Sequence, residues 1–107
     1  MSEQRTTEIL EQTFGTATLS QAVVGALDHS TVALAANAER KYALIQNDSD
    51  VVVYIMLGAA AVAGTGIRLA VGASFEMSKV KGNLDARVIN CIHGSAGLTK
   101  NLLVIEG

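Results

Sequence analysis

Residues Arg40–Leu57 (RKYALIQNDSDVVVYIML) constrain this chain more than any other stretch. Two runs of strand formers flank Asn47-Asp48-Ser49-Asp50. Val51, Val52, Val53, Tyr54 and Ile55 suit a pleated, half-buried surface, because branched and ring side chains pack well there. Asn, Asp and Ser side chains bond nearby backbone and favour a turn. The stretch therefore predicts a β-hairpin with a loop of about four residues. Both parities are apolar. Tyr42 and Leu44 alternate with Ala43 and Ile45, and Val51, Val53 and Ile55 alternate with Val52, Tyr54 and Met56. Strands apolar on both faces need cover on both sides, from the core on one and from an arm or a second subunit on the other.

The remaining chain supports an all-β reading. Thr16–Val24 alternates, with Ala17, Leu19 and Val23 expected inward. Thr31–Ala35 predicts a strand with Val32 and Leu34 inward. Gly58–Gly66 (GAAAVAGTG) reads as a loop of small residues. Ile67–Leu69 predicts a short strand with Arg68 outward, and Ser74–Ser78 one with Phe75 and Met77 inward. Lys79–Asp85 is a polar loop. Ala86–Ile92 and Lys100–Glu106 supply two more strands around the glycine-rich turn His93–Thr99. About eight strands with turn signals every eight to twelve residues are the pattern of a β-sandwich, jelly-roll-like or Greek-key. The strands apolar on both parities (40–46, 51–57, 86–92 and 101–105) are expected at sheet centres. The clean alternators (16–23, 67–69 and 74–78) are expected at edges or on an open face. Residues 1–14, with Ile9, Leu10 and Phe14 as their large apolar side chains, form an N-terminal arm, either a short helix capped by Ser2 or a mobile segment. Residues 15–107 form the sandwich domain.

Composition narrows the function. At 107 residues the chain is one domain, and half of its residues are hydrophobic. The net charge is −2, and the eight Lys and Arg are scattered. A nucleic-acid binder carries a basic stripe instead, so nucleic acid is not an expected partner. Val51–Ile67 is uncharged, but it is shorter than the about 20 residues of a spanning helix and is broken by Gly58, Gly64 and Gly66. No membrane span is expected. The single cysteine, Cys91, allows no intrachain disulfide. The first ten residues lack the basic-then-apolar order of a signal peptide, which fits synthesis inside the cell.

No catalytic, cofactor-binding or metal-ligating set can be assembled. Asp48-Ser49-Asp50 starts like a calcium loop, but the apolar Val51-Val52-Val53-Tyr54 follows where oxygen ligands belong. Cys91 and His93 share a strand face, but a zinc site needs three or four ligands, and His29 and Asp28 stand on a distant turn. The expectation is a buried thiol and a turn histidine. Gly64-Thr65-Gly66 lacks the Lys-Ser/Thr of a phosphate loop. Tyr42, Tyr54 and Phe75 fall within strand patterns, which assigns them to the core and not to a sugar platform.

Arg40–Asp50, followed by the apolar run ending in Leu57-Gly58, by Gly66-Ile67-Arg68-Leu69 and by Val104-Ile105-Glu106, resembles small structural proteins of tailed bacteriophages. The resemblance covers residues 37–106. It is similar to the β-sandwich modules of capsid decoration (cement) proteins and of tail or fibre proteins. It implies a non-enzymatic virion protein without cofactors. Such a protein is made in the host cytoplasm and mounted on the phage head, where it contacts the major capsid protein and itself as a homotrimer. A head–tail or fibre module and a free ligand-binding sandwich are the alternatives.

Overall fold

The computed structural model describes residues 19–95 and 99–107. The expected arm, residues 1–14, and the start of the first expected strand lie outside the described residues. Eight strands follow one another: β1 (Ser20–Ala26), β2 (Thr31–Leu34), β3 (Tyr42–Asn47), β4 (Val53–Leu57), β5 (Ile67–Leu69), β6 (Ser74–Ser78), β7 (Ile89–His93) and β8 (Lys100–Glu106). They form two four-stranded antiparallel sheets, ordered β1-β8-β3-β6 and β2-β7-β4-β5. This is the expected all-β sandwich, and its strand order is that of a jelly roll.

A single folded ribbon explains the order. β4 pairs with β5, β3 with β6, β2 with β7 and β1 with β8. The chain is thus one long antiparallel ribbon with its tip at residues 58–66. The ribbon rolls up until β8 meets β3 in one sheet and β7 meets β4 in the other. At the tip, Gly66 has φ +81°, and a Cβ there would stand 2.5 Å from the Ile55 carbonyl oxygen. Only glycine fits that position.

The hairpin expected at Arg40–Leu57 does not form. β3 and β4 lie in different sheets, and the hairpin at the middle of the chain is β4–β5. The cause is Asn47, which is fully buried at the end of β3. Its Nδ2 donates to the carbonyls of Val51 (2.7 Å) and Leu69 (2.9 Å), and its Oδ1 accepts from Ser49 N (3.1 Å) and Ser49 Oγ (2.6 Å). These bonds tie the link to the far end of β5 and carry the chain across the core. The turn residues make an arch between sheets where a hairpin turn was expected.

The core lies between the sheets. Ala43, Ile45, Leu102, Val104 and Met77 from one sheet meet Val53, Ile55, Leu69, Ile89 and Cys91 from the other. Strands apolar on both parities are indeed central: β3 and β8 in one sheet, β4 and β7 in the other. β1, β5 and β6 are edges, as their alternation predicted. Two inward assignments are corrected. In β2 Ala33 is buried while Val32 is 49% exposed, because a register shift between Val32 and Leu34 turns the strand. In β1 Ala26 is buried and Val24 packs on the core, whereas Val23 is 64% exposed on the outer face.

One end of the sandwich is pinned by Arg40, whose side chain is fully buried. Its Nε donates to Glu106 Oε2 at 2.7 Å. One terminal nitrogen donates to the carbonyls of Asp85 (2.6 Å) and Arg87 (2.9 Å), and the other to that of Ala35 (2.7 Å). The β2–β3 link, the β6–β7 link and the end of β8 are thereby held by one cation. A buried guanidinium is tolerated only with such a complete set of acceptors.

Candidate functional site

The outer face of the β1-β8-β3-β6 sheet carries the clearest surface feature. Residues alternate across a strand, so Gln21 and Val23 of β1, Leu103 and Ile105 of β8, and Leu44 and Gln46 of β3 all point away from the core. Register sets them in two rows. Leu44 lies beside Ile105, which lies beside Gln21, and Gln46 lies beside Leu103, which lies beside Val23. Together they line an open groove of about 310 Å³. Four of these six side chains are large and apolar, and the two glutamines are uncharged.

The face becomes polar toward β6. Tyr42 donates its hydroxyl to Glu76 Oε2 at 2.6 Å, and Lys81 Nζ stands 3.1 Å from Glu76 Oε1. Burial, reinforced by the adjacent Glu76 carboxylate, pushes the Tyr42 phenol up to about 12. The bond from Tyr42 and the Lys81 ammonium hold the Glu76 carboxyl below its ordinary value. The groove thus has a charged, hydrogen-bonded bank at β6 and an uncharged bank at β1.

The other sheet differs. There the tip loop folds back on the outer face. Asn90 Nδ2 donates to Ala59 O at 2.6 Å, and Ala61 N donates to Ser30 Oγ at 2.8 Å. Ile92, which points outward, is only 8% exposed.

The remaining candidates take structural places. Cys91 and His93 both face the core and are buried, so His93 ends a strand and is not the expected turn residue. Burial pushes the Cys91 thiol up to about 11, which keeps it protonated and weakly nucleophilic at neutral pH. His93 Nδ1 accepts from Ser95 N at 3.1 Å. The turn bearing Asp28 and His29 does adjoin β7, through His93 N to Leu27 O at 3.0 Å. Its His29–Asp28 pair (3.1 Å) is nonetheless exposed, on the solvent side of the buried Cys91 and His93. Among the described residues no group of three or more His, Cys, Asp or Glu is placed to hold a metal ion. Asp50 pairs with Lys100 at 2.8 Å, and Ser49 Oγ bonds Asn47. Thr65 directs both its N–H and its hydroxyl to Val62 O, closing a tight turn. Tyr42 and Tyr54 lie half-buried on the outer faces of their sheets, not in the core, while Phe75 packs against the core. Among the described residues no helix is long and apolar enough to cross a membrane.

Sequence reasoning missed the groove as a place, although it anticipated an apolar face needing cover. The missing signal was the pairing of β3 with β8, which joins Leu44 to Ile105 and Gln46 to Leu103, 61 and 57 positions apart in the chain. No family model, curated protein or solved structure matches the chain.

Proposed function

We propose that this protein is a structural component of a phage virion that mounts on the capsid surface and stabilises the head by contact. Its partners in this reading are the major capsid protein and further copies of itself. The observation that carries the reading is the apolar outer face around the half-buried Leu44, Leu103 and Ile105 and the exposed Val23, which the described residues leave as an open groove. A contiguous exposed apolar patch marks a surface used for association. The resemblance of residues 37–106 to virion proteins gives the class of partner, and a jelly roll is an architecture common among capsid proteins. Fold alone does not carry function, so the decisive test is direct. Purified protein is added to heads lacking it, and co-sedimentation and head melting are measured. Binding with a raised melting temperature is the expected result, and neither binding nor a shift overturns the reading.

One observation favours a second reading, a free ligand-binding sandwich. The groove volume of about 310 Å³ sits at the lower end of small-molecule sites. Its openness and lack of charged lining residues suit a protein surface better than a polar small ligand. A screen of sugars by NMR shift perturbation separates the two: shifts confined to the groove residues favour the ligand reading.

A further inference from the structure

Among the described residues both sheets are open and present four edge strands, and an edge strand's unpaired backbone groups can template another strand. Natural edges are guarded by charge, proline, shortness or a bulge. Three of the four edges here carry such a guard. β6 has Glu76 at its centre, so antiparallel pairing with its own copy would oppose two carboxylates. β5 is three residues long with Arg68 at its centre. β2 has four residues and a register shift. β1 has none of these. It runs seven residues, SQAVVGA, without charge, proline or break, in continuous register with β8. Its outer edge has no strand partner among the described residues.

We propose that β1 is the contact through which two copies of this chain associate, by antiparallel pairing of β1 with β1 about a two-fold axis at Val23. The occupant is a second copy because the strand is self-complementary. Pairing sets Ser20 opposite Ala26 of the second copy, Gln21 opposite Gly25, Ala22 opposite Val24, and Val23 opposite itself. No like charges meet and no bulky pair clashes. Such a two-fold contact is isologous and closes on itself. It also joins the two outer faces. Val23 lies beside Leu103 in each copy, so the two apolar rows run together across the axis and cover the 64% exposed Val23. The two sandwiches then share one eight-stranded sheet. This pairing stands whether or not the virion reading holds, and it differs from the trimer that the resemblance implies, which needs a head-to-tail contact.

Light scattering on the intact chain over a range of concentrations is the first test. A dimer that dissociates on dilution is expected. Val23→Lys sets two ammonium groups on the axis and should give a monomer with unchanged far-UV circular dichroism, while Arg68→Glu, at a different edge, should leave the dimer intact. Cross-linking decides the register even if Val23→Lys fails to fold. Facing residues of an antiparallel pair have Cα atoms about 4.5–5.5 Å apart, within disulfide range. Val23→Cys should therefore form a disulfide-linked dimer under mild oxidation. Gln21→Cys, displaced by four residues or about 14 Å from its own copy, should cross-link at least about tenfold more slowly. A monomer at every concentration, a trimer, or equal cross-linking at positions 21 and 23 overturns the proposal.

Discussion

Replacing Arg40 with Met tests whether one cation fastens this end of the jelly roll. The change removes four hydrogen bonds of 2.6–2.9 Å and strands the carbonyls of Ala35, Asp85 and Arg87 together with the Glu106 carboxylate. A hydrogen bond to a charged group contributes about 1.5–3 kcal/mol, but the four share one desolvated guanidinium, so they do not add. Breaking a buried pair by removing one partner costs about 3–5 kcal/mol. Domains of this size have about 5–15 kcal/mol in total, so Arg40→Met should remove a large share. At about 4–8 °C per kcal/mol the melting temperature falls by about 12–40 °C. Arg40→Lys should resemble Met more than Arg, because a point charge cannot serve acceptors on three sides. The double variant Arg40→Met/Glu106→Met should be more stable than Arg40→Met alone, since no unpaired charge remains. Urea titration followed by circular dichroism measures each step. An Arg40→Met variant within about 1 kcal/mol of wild type would refute the reasoning.

Other outcomes follow from the same geometry. Cys91, buried with its thiol pushed up to about 11, should not react with a disulfide reagent at neutral pH until the protein unfolds; rapid reaction in the native state would contradict its burial. Gly66→Ala should destabilise by more than about 1 kcal/mol, since it faces both a positive φ and the Ile55 carbonyl, and denaturant melts measure it. Asp85 is held at about 2 by its bonds to Arg87, against an ordinary 3.8. Its folded value is depressed, so its contribution is full above about pH 4 and is lost as pH falls toward 2. Asp85→Asn should therefore flatten the stability profile between pH 4 and 2, and an unchanged slope would count against the pairing.

The fold was legible where side-chain parity carried it. Double-parity runs marked β3, β4, β7 and β8 as central, and clean alternation marked the edges, because burial on one or two faces writes itself into the period-two pattern. Connectivity was not legible. Asn47-Asp48-Ser49-Asp50 has the chemistry of a turn, and the same side chains serve a hairpin or an arch. What decides is Asn47 reaching the Leu69 carbonyl, a contact 22 positions away. The inward side of β1 was misread for a related reason. The polar Thr16, Thr18 and Ser20 pointed to the parity of Leu19 and Val23 as the inward one, but Val23 is 64% exposed on the outer face and Leu19 is 43% exposed, while Val24 of the other parity packs on the core. Arg40 gave no local sign of burial, since its four acceptors come from three separate segments. The groove shares this character: its residues come from β1, β3 and β8, and their meeting is a property of the rolled ribbon.

The central claim is that assembly runs through β1 and the apolar face beside it. Amide hydrogen exchange of residues 20–26, followed against protein concentration, tests it most directly. Edge amides exposed in the monomer should slow together as copies pair, while the amides of β5 and β6 stay unchanged. Exchange in β1 that is independent of concentration, whether fast throughout or protected throughout, would contradict it.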